Sequence, residues 1–115
     1  MYVGGIKVPC VIVWPGLTEP GTSTDARIQS TDFYPTLINL LGAEIPENYA
    51  IDGIDFSKVL SNTKWKRKAP MFSYFPVYIK GVPDWLPPSM SVHDGDWKLI
   101  RLFHQGENQE HDYLL

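Results

Sequence analysis

The side chains that could bind a metal or move a proton do not form a complete catalytic set in this sequence. It contains three histidines, one cysteine and thirteen acidic residues. A zinc site is usually marked by a short pair such as C-x-x-C or H-E-x-x-H, and neither pair occurs. Asp52 and Asp55, with Gly53 between them, lack the alternating ligands and the closing glutamate of a calcium loop. We therefore expect no catalytic residue and no metal ligand in this chain.

The histidines and serines leave only weaker chemical possibilities. His93 adjoins a predicted hairpin turn, His104 ends the second arm of that hairpin, and His111 lies in a polar tail. Each could contact a ligand or be an ordinary surface residue at the end of a strand. No serine lies in a G-x-S-x-G context, so the sequence predicts no nucleophile elbow.

An apolar run near the beginning determines how the rest of the chain is interpreted. Val11 to Trp14 shows no polar alternation and is bounded by Pro9 and by Pro15-Gly16, which predicts a short strand covered on both faces. Such strands lie inside parallel sheets, and no second run of this type follows. We therefore expect the tail of a larger α/β protein, beginning at its last core strand. Cys10 adjoins this strand and is expected to be a buried thiol.

One helix follows this strand. Thr31 or Asp32 can cap its beginning, and Gly42 occupies the usual position after its last turn. Apolar residues recur between these caps at three- and four-residue spacing, at Phe33, Leu37, Leu40 and Leu41. A short helical turn is predicted from Phe56 to Leu60.

The second half of the chain changes to short β segments. Pro70 to Phe75 is rich in aromatic residues that favour strands. Asp94-Gly95 predicts a type I′ turn between Met90–His93 and Asp96–Phe103. The second arm presents Trp97, Leu99 and Phe103 on one face and Ile100 and Leu102, beside Lys98, on the other. A further strand begins at Asp112, so we expect a small antiparallel sheet with the second arm in a central position.

Composition excludes two classes of partner. The chain has 115 residues and a net charge of −3, which gives no electrostatic reason to expect nucleic acid. No apolar run approaches the roughly 18–20 residues of a membrane span, so no membrane partner is expected. The basic cluster is expected to be a solvated loop rather than a basic patch; it comprises Lys64, Lys66, Arg67 and Lys68.

Four sequence blocks, taken together, resemble a known enzyme family. They run from Tyr2 to Pro9 with Trp14-Pro15-Gly16, from Ser30 to Leu37, from Asp52 to Phe56, and from Asp94 to Ile100. In this order and spacing they resemble the C-terminal third of a type I sulfatase, within the alkaline phosphatase-like superfamily. The resemblance covers essentially the whole chain and agrees with the missing strand neighbours.

The resemblance implies a parent enzyme that hydrolyses sulfate esters of carbohydrates or aryl compounds. It implies a formylglycine nucleophile and a calcium ion held by Asp and Asn residues, both in the parent. None of those residues maps onto this sequence, and the C/S-x-P/A-x-R signature of the nucleophile is absent. By this resemblance the chain binds neither group and is inactive alone.

Departures from the family pattern direct attention to three aromatic residues. The family commonly has Glu at the position of Val3 and Arg at that of Lys7. A His-rich pattern after the first C-terminal strand is replaced here by Tyr74-Phe75-Pro76-Val77. Three aromatic residues remain as substrate-binding candidates at the edge of the pocket: Tyr74, Tyr78 and Trp85. The alternative for each is that its side chain fills the small core.

The predicted fold is an α/β fragment followed by a small subdomain. Residues 1–62 would carry the last core strand and the helix of the sulfatase sheet, and residues 69–115 a small antiparallel α+β subdomain. An uncovered Val11 to Trp14 strand would also offer a surface for self-association. The alternatives are a related phosphodiesterase or phosphomutase-type metalloenzyme and a binding module without chemistry.

Overall fold

A computed structural model gives the fold and describes residues 5–76, 88–103 and 110–114, the last range as backbone alone. One short helix and an antiparallel sheet form a small α/β fragment, which confirms the predicted fold class. The chain divides into two compact units, Cys10–Ala69 and a second unit of Met1–Pro9 with Pro70–Leu115. The division of a parent enzyme at residues 62 and 69 stays a prediction.

The apolar run at the beginning lies uncovered. Val11 is 89% exposed and Val13 78%, whereas Ile12 and Trp14 are half-buried. A strand requires hydrogen bonds to a neighbouring strand, and none of the described segments pairs with residues 10–14, so no strand is assigned there. Cys10 is exposed for the same reason, which corrects the expectation of a buried thiol.

The helix begins and ends close to its predicted caps. A single 3₁₀ turn, Ser30–Asp32, leads into α1, Phe33–Leu40. The amide of Ala43 donates to the carbonyl of Ile38 at 3.0 Å, and Gly42 adopts a φ of 67°. These features satisfy the last carbonyls in a Schellman motif, which confirms the predicted stop.

The most buried residues of α1 are not those of its predicted apolar side. Its buried residues are Pro35 and Thr36, while Leu37 and Leu41 are exposed, Leu41 by 70%. The hydroxyl of Thr36 accepts the amide of Phe56 at 3.0 Å and donates to the carbonyl of Asp32 at 2.7 Å. Helical spacing thus identified the helix but not its most buried residues, one of which, Thr36, makes these polar contacts.

The core of the first unit forms around the predicted helical turn. This turn is the 3₁₀ helix Ser57–Leu60, and the amide of Ser57 donates to Asp55 Oδ1 at 2.8 Å. Phe56 is fully buried, and its ring meets that of Phe33 edge-on with 5.4 Å between centroids. Val59 is buried one turn further on.

The second unit contains a four-stranded antiparallel sheet. Its strands follow chain order and comprise β1 Met71–Phe75, β2 Ser89–Asp94, β3 Trp97–Phe103 and β4 Glu110–Leu114. β3 lies between β2 and β4, as predicted for the second arm.

The tight turn between β2 and β3 is centred one residue later than predicted. Asp94 pairs with Trp97, which leaves Gly95 and Asp96 as the two central residues. Gly95 has a φ of 54°, and only glycine adopts this left-handed region at little cost. The sequence predicted a positive φ at both Asp94 and Gly95. The structure has it at Gly95, whereas Asp94 belongs to β2.

Candidate functional site

One face of the sheet exposes aromatic side chains. Tyr74 on β1 is 68% exposed and lies opposite Met90 on β2. Its ring meets that of Phe103 edge-on with 6.4 Å between centroids. Tyr74, a predicted substrate-binding residue, is thus accessible to a ligand. The other two predicted residues, Tyr78 and Trp85, lie outside the described residues.

Two further aromatic side chains share this face. Strand register and alternation place Phe72 of β1 and Trp97 of β3 on the same side as Tyr74. Both are exposed by more than half. We call these three residues, Phe72, Tyr74 and Trp97, the aromatic face. Flat rings on a sheet can stack against the apolar side of a ring-shaped ligand, and the tyrosine hydroxyl can also form hydrogen bonds.

The opposite face of the sheet is buried and unusually polar. Ile100 and Leu102 lie there with Lys98, which is 5% exposed, and with Ser89 and Ser91. Burial lowers the pKa of Lys98 below its usual 10.5 because the charged ammonium loses contact with water. The sequence placed Lys98 beside Ile100 and Leu102, but nothing in the local pattern indicated that this position is buried.

One exposed carboxylate of the first unit, that of Asp55, is engaged in protein contacts. Asp55 accepts the side-chain amide of Asn39 at 3.0 Å and the hydroxyl of Ser57. Across the described ranges no group of three or more His, Cys, Asp or Glu residues could hold a metal ion.

The most connected polar group of the first unit is a buried ion pair. Asp32 is completely buried, and its Oδ2 pairs with Nη1 of Arg67, whose side chain is 6% exposed. The same carboxylate accepts the amides of Gln29 at 2.8 Å and Ile54 at 2.9 Å. Sequence reasoning assigned Asp32 to a helix cap and Arg67 to a solvated loop. Their separation of 35 residues explains why no local pattern revealed the pair.

Two of the four sequence blocks meet at this ion pair. A Cβ on Gly53 would lie 2.0 Å from the carbonyl oxygen of Thr31, so only glycine fits there. This close approach places the amide of Ile54 against Asp32. The blocks Ser30–Leu37 and Asp52–Phe56 thus pack closely against one another.

The chain belongs to a sulfatase family. Residues 1–113 match the family described as N-sulphoglucosamine sulphohydrolase, C-terminal, so the chain is a C-terminal sulfatase portion, as the resemblance indicated. It is 35% identical to human arylsulfatase A over 91% of this chain and 34% identical to rat steryl-sulfatase over 78%. It is also 29% identical to a sulfatase of Formosa agariphila over 94% of this chain.

The matching region is a small part of each relative. It covers 19% of human arylsulfatase A, 16% of rat steryl-sulfatase and 20% of the Formosa agariphila sulfatase. The chain therefore spans at most about a fifth of the length of these relatives. In the described part of the chain, no helix is long and apolar enough to cross a membrane.

Proposed function

We propose that this chain works as the C-terminal part of a sulfate ester hydrolase and that its aromatic face borders the entrance to the substrate pocket. The observation that carries this proposal is the exposure of Tyr74 in a chain whose relatives are sulfatases. An aromatic side chain that is 68% exposed on a regular strand is free to contact a ligand.

The proposed substrates carry a ring next to the sulfate, as in sulfated carbohydrates or aryl sulfates. Two relatives are named for aryl and steryl sulfates, and the family description names a sulphated glucosamine. The three rings of the aromatic face can stack on such a substrate while its charged group lies elsewhere. In this proposal the face selects the substrate and takes no part in breaking the ester bond.

The reacting groups would come from the part of the enzyme that precedes this chain. We assign the formylglycine and the calcium ion to that part, because the sequence lacks the nucleophile signature and the carboxylates of Asp32 and Asp55 already hold protein partners. A divalent cation would neutralise charge on the sulfate oxygens there. The chain alone is accordingly proposed to be inactive.

Replacing Tyr74 tests the proposed role of the aromatic face. In the matured full-length enzyme, Tyr74→Ala should raise KM for an aryl sulfate about 2- to 10-fold, which corresponds to one aromatic contact of about 0.5–1.5 kcal/mol. The kcat should stay within a factor of about two, because the reacting groups lie elsewhere. The matched control is Tyr49→Ala, an exposed tyrosine in the other unit.

Two results would argue against the proposal. An unchanged KM for Tyr74→Ala would remove the aromatic face from substrate binding. A matured enzyme that cleaved a phosphate diester but no sulfate ester would favour the phosphodiesterase alternative.

A further inference from the structure

Three lysines form a row on the surface of the first unit. Lys64, Lys66 and Lys68 are exposed, whereas Trp65 and Arg67 between them are half-buried. Lys64 lies in a turn, in which the amide of Trp65 donates to the carbonyl of Asn62 at 3.0 Å, and residues 65–68 follow outside any helix or strand. We call these three residues the lysine row.

The side chain of Arg67 and the backbone on either side of residues 64–68 hold this segment in place. The Arg67 guanidinium pairs with buried Asp32, and its Nε donates to the carbonyl of Ala69 at 2.8 Å. Before the row, the hydroxyl of Thr24 donates to the carbonyl of Thr63 at 2.8 Å. A segment fixed by buried contacts loses little conformational freedom when its outward side chains bind a partner.

No acidic side chain in the described ranges pairs with the lysine row. Among the residues that the structure describes, none forms a salt bridge with Lys64, Lys66 or Lys68. The chain as a whole is acidic, with a net charge of −3. Three adjacent cations without counter-charges repel one another and create a local positive potential that a linear anion would relieve.

We propose that the lysine row binds the chain of a sulfated polysaccharide. This inference rests on the proposed sulfatase function and assigns a polymeric substrate that carries a sulfate at regular intervals. Each sulfate is a single negative charge that an ammonium can meet as a point charge, without the fork of an arginine. Sulfates along the polymer would contact the row while one sulfate ester is cleaved, so binding would keep the polymer near the enzyme.

Other polyanions fit the row less well. Trp65 is half-buried, which leaves less of its ring open for stacking on nucleic-acid bases than a fully exposed aromatic residue would offer. The outward positions of residues 64–68 are all lysines, so this segment has no apolar side to insert into a membrane. Duplex DNA and an anionic membrane are therefore outcomes of the test and not part of the proposal.

Binding to heparin tests the proposal without any hydrolysis. The full 115-residue chain is titrated with heparin oligosaccharides at 50–200 mM salt, in parallel with Lys64→Gln/Lys66→Gln. The matched control is Lys7→Gln/Lys58→Gln, which removes the same charge at two other exposed lysines. By analogy with phosphate contacts, the row variant should bind about 10-fold more weakly at 50 mM salt, with a salt slope smaller by about 1.5. The control should bind like the wild type.

Further measurements, with an arginine variant and with other polyanions, distinguish the possible ligands of the lysine row. Lys64→Arg/Lys66→Arg should retain binding, and hyaluronan, a polyanion without sulfate, should bind at least several-fold more weakly than heparin. Equal loss of heparin binding in the row and control variants would overturn the proposal, as would tighter binding to duplex DNA or to phosphatidylserine vesicles. Hydrolysis of a small aryl sulfate by the matured enzyme is measured separately, so failure of the row and failure of the sulfatase function can be told apart.

Discussion

At the scale of single residues, Asp32 connects three separate parts of the first unit. Its buried carboxylate receives the amides of Gln29 and Ile54 and the guanidinium of Arg67. A buried charge needs such partners, because taking it out of water without them costs several kcal/mol. The Asp32–Arg67 pair therefore fixes both the start of α1 and the segment that carries the lysine row.

Removing the Asp32 carboxylate should destabilise the fold severely. We expect Asp32→Ala to lower the free energy of unfolding by about 3–5 kcal/mol, because Arg67 would be left as a buried unpaired charge. Urea unfolding followed by circular dichroism measures the change. Asp25→Ala, at an exposed carboxylate, should stay within about 0.5 kcal/mol of the wild type. Similar midpoints for the two variants would contradict the importance of the pair.

Gly53 is required by steric contact and not by its backbone angle. A Cβ there would lie 2.0 Å from the carbonyl oxygen of Thr31 and 2.9 Å from Cα of Asp32. Since both neighbours are backbone atoms, Gly53→Ala should cost about 1–3 kcal/mol or more in the free energy of unfolding. Gly5→Ala meets nothing within 4 Å and serves as the control in the same unfolding assay. A neutral Gly53→Ala would show that the two blocks do not pack this closely.

Lys98 should make the free energy of unfolding depend on pH in the alkaline range. Burial lowers its pKa in the folded state below 10.5. Between that lowered pKa and 10.5 the unfolded chain binds more protons than the folded chain, so the free energy of unfolding rises with pH across this window. Lys98→Met should lack this rise. Urea midpoints measured from pH 7 to 10.5 check it, and parallel profiles for wild type and variant would contradict the expectation.

At the scale of elements, the strands and the helix were predictable where local signals suffice. The cap at Gly42, the aromatic run of β1 and the glycine of the hairpin each leave a mark in the sequence, and each element was found. The central pair of the turn was misplaced by one residue, because Asp94-Gly95 and Gly95-Asp96 both place an acidic residue beside the glycine. Strand register, set by pairing along the whole hairpin, determines which pair is central.

The segment of residues 10–14 depends on partners that local signals cannot supply. Its apolar residues predict a covered strand, but Val11 and Val13 are exposed. We propose that in isolation this segment pairs with a second copy of the chain, because exposed apolar residues without a neighbouring strand in the described part of the chain favour strand association.

Charged residues in the apolar segment should prevent this association. Val11→Lys/Val13→Lys should shift the isolated chain toward the monomer in sedimentation equilibrium, because the lysines oppose close strand pairing. Leu37→Lys/Leu41→Lys changes two exposed leucines in the same unit, one in α1 and one directly after it, and should leave the association unchanged. Equal effects of the two double variants would indicate non-specific apolar contact, and a monomeric wild type would contradict the proposal.

At the scale of the whole molecule, few hydrophobic residues are buried and many are exposed. The buried hydrophobic residues of the described part are Phe56, Val59, Ile100 and Leu102. Large exposed hydrophobic residues occur in both units, Val11 and Leu41 in the first and Phe72 and Trp97 in the second. Composition could not indicate this imbalance, since it counts residues without saying what covers them. The family resemblance, and not the composition, indicated that the chain is the C-terminal portion of a sulfatase. The family match confirmed this.

The ion pair and the aromatic face were harder to predict from the sequence. Asp32 and Arg67 meet only after the chain has folded, so their partnership required coordinates. Tyr74 was predicted as a substrate-binding residue, and its exposure agrees with that role, which stays a proposal until binding is measured.

The most direct test of the account is hydrolysis of p-nitrocatechol sulfate. The isolated 115-residue chain is compared with the same chain joined to the sequence that precedes it in its gene and matured to carry formylglycine. The account predicts release of p-nitrocatechol by the joined, matured protein and none by the isolated chain. Hydrolysis by the isolated chain would contradict the assignment of the reacting groups to the preceding part, and inactivity of the joined protein toward sulfate esters would contradict the proposed function itself.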